Sequence, residues 1–351
     1  FFHVQMLFLL MFSQLFGVLL CDPSITLHCV GNCNAPVKRP VDIEHGAALC
    51  GGAMAPGETI PSDLDIFRWM VNRSKGGDFI VLTADPADTP CDLYNSFIFN
   101  LSNVQKPPNS VTTICFNSRQ GSFDNRVAPL LKNAAAVFMT GGDQSKYYKF
   151  WKNSPVSALI PEIPVLGGES AGLAVQGLFV FAALHGGVDS EDALKYPMDS
   201  EISLVNDLFE LPNMQNIVTD THFFQRDRMG RLVTFLARVM KSHWSTTNAS
   251  LGIGISEHSA ILLDTSSGIG SFWGVGPIYF LLADHQAEVC DHDHDLIFSK
   301  VVVHKWNSTL KLSHASDSPH FDFKQWQATG LQQYALSAAK DELESSDGHI
   351  Y

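Results

Sequence analysis

The apolar run Ile163-Pro164-Val165-Leu166 leads through Gly167 into Gly168-Glu169-Ser170-Ala171-Gly172. It reads as a buried strand followed by Gly-x-Ser-x-Gly, a sharp strand-to-helix turn that holds a serine hydroxyl clear of the backbone. Flanking glycines let neighbouring chain approach without a Cβ clash. The next amide, that of Ala171, points where an oxyanion would form. The bland reading of the same five residues is a glycine-rich turn opening a packed helix, so the pentapeptide does not decide alone.

The pattern around this turn sets the fold class. Apolar runs at Ala47–Cys50, Phe79–Thr83, Val111–Phe116, Ala135–Met139 and Pro164–Leu166 predict short strands. Helical spacing at Asp63–Asn72, through Leu64, Phe67, Trp69 and Met70, and at Val127–Asn133 predicts helices between them. Strands that alternate with helices imply an α/β fold with a doubly wound, mostly parallel sheet, its functional loops at the strands' C-terminal ends. Thr140–Gln144 and Gly168–Gly172 both fall at such ends. Runs at Ile253–Ile255, Ile261–Leu263, Gly274–Leu282 and Val301–Val303 predict further strands, hairpins among them.

A serine needs a base, and Asp220-Thr221-His222-Phe223-Phe224-Gln225-Arg226-Asp227-Arg228-Met229-Gly230-Arg231-Leu232 offers one. His222 follows the β-branched run Ile217-Val218-Thr219. Leu232, Phe235, Leu236 and Val239 then keep helical spacing. Arg226 and Arg228 fall near that helix's N-terminus, where positive charge opposes the macrodipole and calls for anionic partners. Those partners are either protein carboxylates such as Asp220 and Asp227 or an acidic ligand.

Together, Gly-Gly-x-Ser-Ala-Gly and Asp-x-His-Phe-x-Gln-Arg-x-Arg-x-Gly-Arg-Leu resemble the cyanophycinase-type serine peptidases of family S51, which includes the α-aspartyl dipeptidases. Thr140-Gly141-Gly142-Asp143-Gln144, Gly252-Ile253-Gly254-Ile255-Ser256-Glu257 and the opening Leu49-Cys50-Gly51-Gly52 fit too, so the resemblance runs from about residue 45 to about residue 283. It implies a flavodoxin-like sheet of the class-I glutamine-amidotransferase type. It also implies Ser170 as nucleophile, His222 as base, and Gly142 and Ala171 as oxyanion amides. Glu257 matches an acidic position associated with the triad, although Asp220 is also placed to orient the imidazole. Gln144, Asp220, Arg226, Arg228 and Arg231 are the expected substrate-binding residues. The implied partner is an aspartyl- or β-Asp-Arg-containing peptide, with no cofactor, no metal and a homodimer as a compatible assembly. Glu169 departs from the family's small threonine, with its charge either opposing the oxyanion or turned away. Leu173, Phe224 and Asp227 are further departures, and they put the substrate more than the mechanism in question.

The chain has 351 residues, 45% of them hydrophobic, and a net charge of −13 with dispersed acidic residues. That balance argues against nucleic acid and against an anionic membrane surface. Residues 1–21 read as a signal peptide, 22–44 as an N-terminal extension, 45–335 as the cyanophycinase-like domain and 336–351 as a polar tail, of which Lys340 through Tyr351 is expected to be disordered. Sequons at Asn72, Asn100, Asn248 and Asn307 and an even set of cysteines fit a secreted, glycosylated, disulfide-bonded protein free of the membrane once the signal is removed. Cleavage after Cys21 would leave Cys29, Cys33, Cys50, Cys91, Cys115 and Cys290, enough for up to three disulfides. Asp291-His292-Asp293-His294-Asp295 is read as a solvated loop rather than a cation site. The rival functional class is a secreted extracellular-matrix protein that keeps the fold without significant catalysis. A third option is an extracellular aspartyl peptidase of broader specificity.

Overall fold

The computed structural model describes residues 24–54, 56, 61–308 and 318–351; the expected signal peptide lies outside the described residues. Five parallel strands form the centre of a ten-stranded sheet, side by side in the order Ser110–Phe116, Phe79–Thr83, Ala136–Met139, Val165–Glu169 and Gly46–Cys50. All five are buried along their whole length, which explains their largely apolar character: parallel strands covered on both faces have no solvent-facing polar side. Alternate residues feed opposite layers. Phe79 and Val81 pack with Phe67, Met70 and Val71 of helix Pro61–Arg73. Ile80 and Leu82 pack with Leu131 of helix Val127–Asn133 and with Tyr147 and Trp151 of helix Gln144–Trp151. Helices on both faces make the sheet doubly wound.

Antiparallel strands extend both edges. At one edge Ile25–Gly31 pairs in full register with Ser110–Phe116, so part of the expected extension is an integral strand. At the other, Ser259–Asp264 and Ile269–Gly274 form a hairpin beside Gly46–Cys50.

A second, six-stranded sheet runs in the order Glu342–Ser345, Gln332–Ala339, Phe298–Trp306, Ile278–Ala283, Ser250–Ile255 and Ile217–Asp220. One face of it packs against helix Met229–Lys241 through Tyr279, Leu281, Val301 and Val303. The other, through Ile253, Ile278 and Phe280, joins the core of the first sheet.

The tail expectation is corrected here. Glu342–Ser345 pairs with Gln332–Ala339, and the Tyr334 hydroxyl donates to the Ile350 carbonyl at 2.9 Å. Polar composition marked solvent exposure on one side of a strand rather than disorder. Of the six cysteines among the described residues, Cys29–Cys33 and Cys91–Cys115 form disulfides, while Cys50 and Cys290 are buried thiols. No described helix is long and apolar enough to cross a membrane.

Candidate active site

The two sheets meet where their loops converge, and the three groups named from sequence meet there. Ser170 follows strand Val165–Glu169 directly, at φ +49° and ψ −117°. A non-glycine residue in such a conformation persists only when its surroundings over-determine it. Main-chain bonds do this: Ser170 N donates to Cys50 O at 3.3 Å, Gly172 N to Thr140 O at 3.1 Å, and Ala174 N to Ser170 O at 2.8 Å. Leu173 N also donates to Ser170 O, so among these neighbouring amides that of Ala171 stays available at the start of the helix, beside the serine.

The base comes from the second sheet. His222 lies two residues beyond strand Ile217–Asp220, and its Nε2 is 2.7 Å from Ser170 Oγ. Its Nδ1 is 2.7 Å from Glu257 Oε1, a residue in the turn after strand Ser250–Ile255. The arrangement assigns the proton on Nδ1 to Glu257 and leaves Nε2 as acceptor for the serine hydroxyl. Burial holds the imidazole below its ordinary pKa. The hydrogen bond with Glu257 opposes that lowering, and Arg226 and Arg228 add to it. A neutral, oriented imidazole next to a serine hydroxyl can act as a general base.

Gly52 makes room for this meeting, and Gly142 for the neighbouring cleft wall. A Cβ on Gly52 would lie 2.5 Å from His222 Cε1. Gly142 has φ +118°, and a Cβ there would lie 2.7 Å from Asp85 Cβ. Gly51 O also accepts from His222 N at 2.8 Å. The Gly51-Gly52 turn therefore carries the contact between the halves. The sequence flagged it only as an opening strand and turn, because the residue it accommodates lies far along the chain.

Ser170 opens into a cleft of about 540 Å³ lined by Asp85, Asp88, Tyr94, Asp143, Glu169 and Arg226, among others. Asp85 is already paired with Lys146 at 2.6 Å. Glu169 faces the cleft and is pinned there: the Tyr94 hydroxyl donates to one carboxylate oxygen, and Met54 N donates to the other at 3.0 Å. Burial raises the Glu169 pKa, against the lowering effect of these two donors. Its carboxylate is thus turned away from capping the helix and ties two cleft walls together. Leu173 is fully buried and does not obstruct the cleft.

The expected substrate-binding set divides. Arg226 lines the serine cleft. Gln144 and Arg228 line a neighbouring hollow of about 440 Å³ that shares Asp143 with it. Asp220 and Arg231 form a buried pair, and Arg231 also borders that hollow. Their side chains are buried and joined by two bonds, Nε to Oδ2 at 2.7 Å and Nη2 to Oδ1 at 2.5 Å, with Nη1 donating to Val188 O. Burial would raise the Asp220 pKa, but Arg231 and Arg228 beside it hold it below the usual carboxylate range. Asp220 therefore neutralises the arginines near the helix N-terminus and does not orient His222; Glu257 does. Arg228 also donates to Thr221 O at 2.8 Å. At the Asp291–Asp295 loop, Asp291 turns back to accept from the amides of Asp293 and His294.

The chain is 30% identical over 159 residues to the cyanophycinase of Trichormus variabilis, covering 44% of this chain and 47% of that one. It is 32% identical over 132 residues to the cyanophycinase of Geminocystis herdmanii, covering 36% and 42%. The chain is cyanophycinase-like. It spans about half the length of the curated relatives it matches. No family profile matches it. A solved peptidase from an acI-B1 actinobacterium aligns with 68% of the chain and 91% of its own, at 16% identity and a TM-score of 0.45.

Proposed function

We propose that the chain is a secreted serine-type peptidase of the cyanophycinase kind that hydrolyses peptide or isopeptide bonds at aspartyl residues. The observation that carries this reading is the continuous relay from Ser170 Oγ through His222 to Glu257, each link 2.7 Å long. His222 takes the serine proton as Oγ attacks the carbonyl, and the amides of Ala171 and Gly142 receive the oxyanion. The protonated imidazole then delivers its proton to the leaving amine. Water, activated by the same base, hydrolyses the acyl-enzyme.

The similarity to cyanophycinases supports an aspartate backbone bearing arginine as the substrate. A cleft lined by Arg226 as well as by Asp88, Asp143 and Glu169 suits a peptide carrying both charges. The two disulfides support passage through an oxidising compartment, as do the apolar leader and exposed sequon asparagines such as Asn100 and Asn248. The non-catalytic matrix reading would call for a broken relay or a blocked cleft, and nothing in the site favours it.

The test compares the purified chain with Ser170→Ala, using a fluorophosphonate probe and β-Asp-Arg peptides. Labelling and cleavage are expected in the parent, with cleavage falling by about 10⁴-fold or more in the variant. Absence of labelling in a folded parent protein would overturn the reading. Labelling without cleavage of these peptides would overturn only the substrate.

A further inference from the structure

Residues 222–228 carry more of the site than His222. Gln225 Oε1 accepts from the Glu257 amide at 3.1 Å, Arg226 lines the cleft, and Arg228 reaches Asp220. Two residues of this loop, His222 at φ +45° and Asp227 at φ +47°, hold left-handed conformations without being glycine. Such strain persists only where the surroundings enforce it.

A sequence-distant side chain grips the far end of the loop. The Tyr351 hydroxyl donates to Asp227 Oδ1 at 2.7 Å and accepts from Met229 N at 2.8 Å. It thereby bridges the strained Asp227 and the first turn of helix Met229–Lys241, whose leading amides have no partner within the helix. The Tyr351 ring meets Phe223, Phe224 and Tyr279 edge-on, with centroids 6.2, 5.4 and 5.9 Å away. Phe223 directly follows the base. The segment bearing Tyr351 is itself tied down by Tyr334 through Ile350 O and by strand Glu342–Ser345.

We infer that Tyr351 is a positioning residue that clamps the 222–228 loop and so holds His222 between Ser170 and Glu257. This rests on the reading of Ser170 as nucleophile only for its kinetic consequence; the effect on His222 itself does not. Burial and the adjacent Asp227 both raise the Tyr351 pKa, keeping the phenol protonated as a donor. The charged groups acting on His222 are Glu257 from the second sheet and Arg226 and Arg228 from its own loop. Burial is the largest influence on the imidazole. Loosening the loop therefore admits water and moves its titration upward, towards the ordinary value.

The experiment titrates His222 by NMR in the full chain, with its resonance assigned by loss in His222→Gln. Tyr351→Phe, which keeps the ring and loses the bridge, and Tyr351→Ala are compared with the parent, with thermal midpoints recorded alongside. The expected result is an upward shift of the His222 midpoint, smaller in the phenylalanine variant. Fluorophosphonate labelling should also slow by roughly tenfold or more in Tyr351→Ala, in keeping with the cost of misplacing a catalytic group. If Tyr351→Ala fails to fold, Tyr351→Phe carries the test. An unmoved His222 titration in a folded variant overturns the inference even if the thermal midpoint falls. A shifted titration in a protein whose serine never labels keeps the clamp and rejects the nucleophile reading.

Discussion

The two halves of the site are held by different means. The serine elbow is fastened by main chain: Cys50 and Thr140 carbonyls take the amides of Ser170 and Gly172, and Ser170 O takes those of Leu173 and Ala174. The base loop also has main-chain ties, with His222 N on Gly51 O and Phe223 N on Ile255 O. Beyond these, it depends on side chains: Glu257 and Tyr351 from remote parts of the sequence, and Asp220 just upstream of the loop. A nucleophile fixed by backbone geometry tolerates side-chain substitution nearby. A base fixed by side chains does not, so its orientation is where the site is most easily disturbed.

The strongest challenge to this contrast is Glu257→Gln. The amide keeps nearly the same shape but loses the charge that favours the imidazolium and the acceptor that fixes its tautomer, so kcat should fall by about 10⁴-fold, as for the comparable change in a Ser-His-Asp triad. The sign of the pH effect follows from the parent. His222 must be neutral to act as base, and burial lowers its pKa, so the acid limb of kcat/KM should lie below the ordinary histidine value. Without the carboxylate, which raises that pKa, the limb should move lower still. A pH profile of the residual activity measures this directly.

Next in size is Gly142→Ala, which attacks the backbone-held half. Its positive φ and the contact with Asp85 oblige the turn to shift, carrying with it the amide proposed to receive the oxyanion. Loss of one such donor costs about 10²- to 10³-fold in kcat, and the His222 titration should not move. A shifted titration would show that the two halves are not independently held.

The smallest expected effect is that of Glu169→Gln. Both carboxylate oxygens accept hydrogen bonds, from Tyr94 and from Met54 N, and the amide nitrogen cannot accept. One wall contact is lost, about 1.5–3 kcal/mol for a bond to a charged group, so the cleft wall should loosen and KM should rise. Fluorophosphonate labelling of Ser170 should continue. A collapse of labelling would mean that Glu169 supports the elbow itself.

The central parallel strands were legible because burial on both faces leaves a plain apolar run. Helix Val127–Asn133 and strand Phe79–Thr83 fall where periodicity put them. The second sheet was legible only as scattered runs. Most of its strands pair across long connections, and no local pattern states which partner each takes; the hairpin of Gln332–Ala339 with Glu342–Ser345 is the exception. Tail residues 340–351 misled because a strand with one wet face has the composition of a loop.

By itself the sequence determined that an α/β sheet presents Ser170 on a tight turn, with His222 and Glu257 in recognisable motifs, since these depend on residue type and short spacing. Only the tertiary structure decided that Glu257 and not Asp220 orients the base, that Arg231 closes a buried ion pair, that Glu169 faces Tyr94, and that Tyr351 reaches the base loop. Each of these is a meeting of side chains from different elements. It is set by how two sheets pack, and no periodicity along a single chain encodes it.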